Sequence, residues 1–106
     1  MDKRDFLGLY VGIGDIIENK RRIGECIFNL EIFMLPSGKI GAEGVILKIT
    51  EGKVDFKGKE ATFIISGIIS RDHIFYITKF TCKITPSSYP KFIVPNTNEI
   101  FDNLKI

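Results

Sequence analysis

The sequence predicts an all-β domain: an antiparallel up-and-down meander of seven or eight strands that closes, or nearly closes, into a small barrel, with a short C-terminal helix. Three observations predict it. Ile and Phe dominate the apolar residues while Ala occurs only at Ala42 and Ala61, a bias that suits a pleated, half-buried surface. Apolar side chains alternate with period two through most of the chain. No amphipathic stretch is long enough for the crossover helix that a parallel sheet requires.

The strands follow in order. Phe6 to Gly14 reads as the first strand. Ile23–Leu35 places Cys26, Phe28, Leu30, Ile32 and Met34 on one face, with Glu25, Asn29 and Glu31 on the other. Pro36-Ser37-Gly38 is a turn, since proline pre-sets φ and glycine is free to adopt positive φ. Lys39–Thr50 follows, with Val45, Leu47 and Ile49 expected inward, and Glu51-Gly52 turns the chain into a short strand, Lys53–Lys57. Gly58-Lys59 reads as a two-residue hairpin loop. Ala61–Ser70 puts Phe63, Ile65, Gly67 and Ile69 on one face, and Ser70-Arg71-Asp72 turns again. His73–Ile84 sends Ile74, Tyr76, Thr78, Phe80, Cys82 and Ile84 inward, and a loop over residues 85–90 leads to a last strand, Lys91–Val94. Asn96 followed by Glu99 marks a helix start, with the asparagine side chain satisfying a free N–H. Ile100 and Leu104 share one face of that helix.

Length and composition bound the rest. At 106 residues the chain is one domain with room for a core. The hydrophobic fraction is 44% against 26% charged, which excludes a disordered chain. Net charge is +2 with scattered basic residues; the tightest group, Lys20-Arg21-Arg22, reads as a polar turn, not the concentrated basic face of a nucleic-acid binder. The basic start and the apolar run after it suggest a signal peptide. Asp5 and Asp15 bracket that run and no small-residue cleavage site follows, so a strand is the better reading. No run reaches the length of a membrane helix.

Catalytic chemistry lacks its parts. Cys26 and Cys82 have no metal-ligand spacing and His73 is the one histidine; it falls on the opposite strand face from Cys82, so a zinc site is not expected. The cysteines read as buried free thiols of a cytoplasmic protein, and their common inward face also allows a disulfide. Asp72-His73 reads as a solvated hairpin tip. Gly8, Gly12 and Gly14 ahead of Asp15 resemble a phosphate loop without its Gly-Lys-Ser/Thr ending or following helix. Glu25 and Glu31 read as solvent-facing. No enzyme activity, cofactor or metal is expected.

Some segments carry a family resemblance. Gly8-Leu9-Tyr10-Val11-Gly12 resembles the opening Gly-x-aromatic-x-Gly strand of lipocalin-like and avidin-like barrels. Phe63-Ile64-Ile65-Ser66-Gly67, Ile74-Phe75-Tyr76 and Lys79-Phe80 are similar to a run in small calycin-type domains. The likeness touches about a third of the chain. It implies an up-and-down barrel that binds a small apolar ligand without catalysis, and it transfers no ligand-contact residue.

One feature is unusual for a strand's solvent side. Ile27, Phe33, Leu35, Ile64, Ile68, Phe75 and Ile77 all fall opposite the core stripe. A contiguous apolar patch marks an interface, so self-association, as a dimer first, is expected. Alternatively the terminal segment, Ile100, Phe101 and Leu104, covers the patch within the chain. The sequence therefore points to a non-enzymatic binding or protein-interaction barrel. A third reading, single-stranded nucleic acid, rests on Phe75, Tyr76, Lys79, Phe80 and Lys83.

Overall fold

The computed structural model describes residues 2–56, 61–85 and 90–104. Six strands form one closed antiparallel ring: β1 (Gly8–Glu18), β2 (Arg21–Met34), β3 (Ile40–Glu51), β4 (Ala61–Arg71), β5 (Ile74–Thr85) and β6 (Lys91–Ile93). A 3-10 turn, Lys3–Phe6, precedes them and a helix, α1 (Asn98–Asn103), follows.

The ring order is β1-β2-β3-β6-β5-β4, which corrects the nearest-neighbour meander. β1–β2–β3 and β4–β5–β6 are each consecutive, but β3 and β4 stand on opposite sides, and β4 returns to pair with β1. That is a Greek-key arrangement. The expected strand Lys53–Lys57 is not one. Residues 53–56 have no regular structure and belong to the connection between opposite sides, where Phe56 is buried 5.4 Å from the Phe63 ring. Lys57 and the expected Gly58-Lys59 hairpin lie outside the described residues, as do residues 86–89 of the expected loop.

Alternation builds the interior, because successive strand side chains point to opposite faces. Cys26, Phe28, Leu30 and Ile32 of β2, Phe63, Ile65 and Ile69 of β4, and Tyr76, Thr78, Phe80, Cys82 and Ile84 of β5 are buried as expected. Met34 and Ile74 end their strands and are exposed. In β3 the expected face is inverted: Ile46 is buried while Leu47 is exposed and Val45 only half-buried. A bulge is the reason. Ile46 pairs with Phe28 and Lys48 with Ile27, leaving Leu47 unpaired, so two outward residues precede Ile49.

The aromatic residues fill the ring. Phe28, Phe80 and Phe92 pack with centroids 5.9–6.1 Å apart, and the Phe28 ring lies against Gly12, where a methyl group would collide with it. Arg71 closes one end. It stacks 5.0 Å from the Tyr10 ring and donates to the carbonyl oxygens of Leu7 and Asp5. Tyr10 in turn donates to the Phe6 carbonyl at 2.7 Å.

Two hairpins turn on residues with positive φ at both central positions, Asn19-Lys20 and Asp72-His73, which matches strand twist. Asp72-His73 is the hairpin tip expected from the sequence, whereas Asn19-Lys20 precedes the turn expected at Lys20-Arg21-Arg22 by one residue.

β6 is only three residues long and pairs with just the last part of β5. α1 completes the seam. Glu99 accepts the Thr81 backbone N–H at 2.6 Å, and Asn103 donates to the Lys79 carbonyl at 3.5 Å. Side chains thus satisfy backbone groups that a neighbouring strand would otherwise pair. Asn96 accepts the Asn98 N–H at 3.1 Å, as its sequence position implied, and Ile100 is fully buried.

Candidate functional site: an apolar wall on the outer sheet face

The register decides which outward residues meet. Ile27 of β2 stands opposite Ile13 of β1, Ile13 opposite Ile68 of β4, and Ile68 opposite Ile77 of β5. These four isoleucines cross four strands as one row. The row beside it runs Asn29–Val11–Ser70–Phe75. Directly opposed residues have Cβ atoms about 4.5–5.5 Å apart, so each row is a continuous surface.

That surface is open. Phe75 is 63% exposed, Val11 56% and Ile77 55%. A shallow groove of about 240 Å³ runs through it, lined by Val11, Ile13, Ile27, Ile68, Ser70 and Phe75. No charged side chain lines it. A row of Glu25, Asp15, Ser66 and Lys79 bounds the wall on one side.

The structure therefore brings Ile27, Ile68, Phe75 and Ile77 together, and adds Val11 and Ile13, which sequence reading missed. Ile64 falls beyond the polar row, half-buried and opposite Ile17. Phe33 and Leu35 are not part of the wall. Asn29 and Glu31 separate them from Ile27 along β2, the Phe33 ring covers Gly41 of β3, and Leu35 lies in the β2–β3 turn. The signal for Val11 and Ile13 was present but masked. β1 carries Gly12 and Gly14 inward because side chains from β2 and β4 occupy that space, so its apolar residues looked like core.

The terminal segment does not cover the wall. Ile100 enters the core and Phe101 packs 5.9 Å from Phe6.

A second groove, of about 450 Å³, lies next to the wall, between Leu9, Asn29, Glu31, Glu43, Val45, Lys91 and Ile93. Glu31 and Glu43 stand directly opposite each other there.

The remaining candidates are scattered. Cys26 and Cys82 are free and buried, and burial pushes both thiols up to about 12, the opposite of an activated nucleophile. His73 is exposed at its hairpin tip. Among the described residues no three His, Cys, Asp or Glu side chains converge on a metal position. Of the residues considered for nucleic acid, Tyr76 and Phe80 are buried, leaving Phe75 as the one exposed ring, with Lys79 and Lys83 exposed four and eight residues further along β5. Among the described residues no helix is long and apolar enough to cross a membrane. No family model, curated protein or solved structure matches the chain.

Proposed function

We propose that this small barrel is a non-enzymatic protein-interaction module whose working surface is the outer wall of Val11, Ile13, Ile27, Ile68, Phe75 and Ile77, and that its first partner is a second copy of itself. The observation that carries the reading is the isoleucine row, four residues in register on four strands, of which Ile13, Ile68 and Ile77 are exposed and Ile27 half-buried. Folding does not require such a row on the outer face, since the interior is already filled by Phe28, Phe80, Phe92 and their neighbours. Contiguous exposed apolar surface is costly to keep in water and characteristic of interfaces. Closed two-fold dimers are the commonest soluble assemblies. The same packed interior favours the surface over the lumen as the place of action, against the small apolar ligand that the lipocalin-like resemblance implies.

Sedimentation equilibrium tests the reading. The chain is expected to dimerise at concentrations on the order of 100 μM or below. Phe75→Asp is expected to yield a monomer with an unchanged circular dichroism spectrum, because Phe75 touches solvent more than core. Phe33→Asp is expected to leave the dimer intact. A wild-type chain that remains monomeric across this range overturns the proposal. A fluorescent fatty acid is expected not to bind; saturable binding would move the function into the lumen.

A further inference from the structure

The wall reads the same from either edge. Three rows of outward side chains cross β1, β4 and β5: Asp15–Ser66–Lys79, Ile13–Ile68–Ile77 and Val11–Ser70–Phe75. β4 is the middle strand of each. A half-turn about an axis along the outer face of β4 exchanges β1 of one copy with β5 of another and maps every row onto itself. Ile13 then meets Ile77, Val11 meets Phe75 and Ile68 meets its own copy. Asp15 meets Lys79, so the charged row falls carboxylate on ammonium at both ends.

We propose that two copies pack face to face about this axis, with β4 on β4 and two Asp15–Lys79 pairs bounding an apolar centre. The proposal rests on the wall being a self-association surface and adds the orientation. Charge argues for it. Arg22 bridges Asp15 at 2.8 Å and Glu51, while Glu25, opposite Asp15, accepts the Thr50 hydroxyl at 2.7 Å, so three carboxylates stand at this corner and one guanidinium pairs with two of them. Lys79 makes no ion pair among the described residues. A lysine from the second copy offsets that surplus. An axis across the strands instead reverses the rows, setting Asp15 against Val11 and leaving a carboxylate on apolar surface without a partner, which is unfavourable.

Charge exchange tests the orientation. Lys79→Asp places two carboxylates opposite each other at both ends and is expected to weaken dimerisation by about tenfold or more at low salt. Asp15→Lys is expected to do the same with two cations. The double variant is expected to recover wild-type affinity within about threefold, because the pairs re-form with signs exchanged. Ser66→Cys, on the axis, is expected to cross-link to its own copy through a short bis-maleimide, while Asn29→Cys, on β2, is not; the native thiols are buried. A dimeric wild type whose affinity ignores both single changes, or a double variant no tighter than the singles, overturns this orientation and leaves the wall as the interface. Absence of the Ser66→Cys cross-link overturns it equally. A monomeric wild type overturns the wall and the orientation together.

Discussion

The two outer sides of this ring differ although the same ladder builds both. Over β1, β4 and β5, Val11, Ile13, Ile68, Phe75 and Ile77 form an uncharged surface around Ser70. Next to it, over β2, β3 and β6 and reaching Leu9 of β1, Glu31, Glu43, Val45, Lys91 and Ile93 form a mixed groove. Both sides contribute to one packed interior, so interior packing does not explain the contrast. Solvent-facing positions tolerate most residues at small cost. The proposed contact with a second copy accounts for the apolar side, while Glu31 and Glu43 face each other across the groove.

Substitutions on the two sides are expected to have unequal effects, the largest of them at Gly44. On the charged side, Gly44 approaches the Asn29 carbonyl oxygen and the Phe92 ring so closely that a methyl group would collide with both. Gly44→Ala is expected to cost about 3 kcal/mol in urea denaturation. On the apolar side the closest atom to a methyl at Gly14 would be Ile65 Cγ2, at 3.0 Å, and Gly14→Ala is expected to cost about 1 kcal/mol. Equal losses would mean that the closer approach at Gly44 is relieved without cost; Gly67, on the apolar side, is approached by the Ile13 carbonyl oxygen as closely as Gly44 is by that of Asn29, so the difference belongs to the position and not to the side.

The thiols probe one strand from each half, Cys26 on β2 and Cys82 on β5. Burial holds both near 12 in the folded protein, against about 8.5 in an unfolded chain. The folded state therefore keeps protons that the unfolded state releases. This contribution is complete below about pH 8.5 and is lost as pH rises toward 12. The Tm is expected to fall across that window. Replacing both cysteines with valine is expected to flatten the fall, leaving the smaller share of Tyr10, whose hydroxyl burial also pushes upward.

Thr78 is fully buried and its hydroxyl has no hydrogen-bond partner among the described residues. Removing an unsatisfied buried donor relieves its desolvation cost, so Thr78→Val is expected to raise stability by about 1 kcal/mol. The smallest effect belongs to the charged side. Glu43→Lys turns a like-charged pair with Glu31 into an attractive one, and is expected to add about 0.5 kcal/mol, measurable at low salt and absent at high salt.

Much of this was legible in the chain, and the boundary is physical. Alternation located five long strands and named the buried residues of β2, β4 and β5, because side-chain direction within a strand is a local property. It failed in β3, where a one-residue bulge beside Phe28 reversed the faces of Val45 and Leu47, and over residues 53–56, where an apolar residue every second position belongs to an irregular connection that buries Phe56 against Phe63. Of the seven outward apolar residues read from the sequence, register united Ile27, Ile68, Phe75 and Ile77 and set Phe33 and Leu35 apart.

Composition, the antiparallel character and the inward or outward sense of most strand residues were determined by the sequence alone, since each depends on neighbours one or two positions away. Which strands pair was decided only in the tertiary structure. Local pattern is the same whether β4 follows β3 in the sheet or crosses to lie beside β1, and only packing of the aromatic interior selects between them. The wall exists because of that choice: Ile13 meets Ile68 across a pairing between residues far apart in the chain.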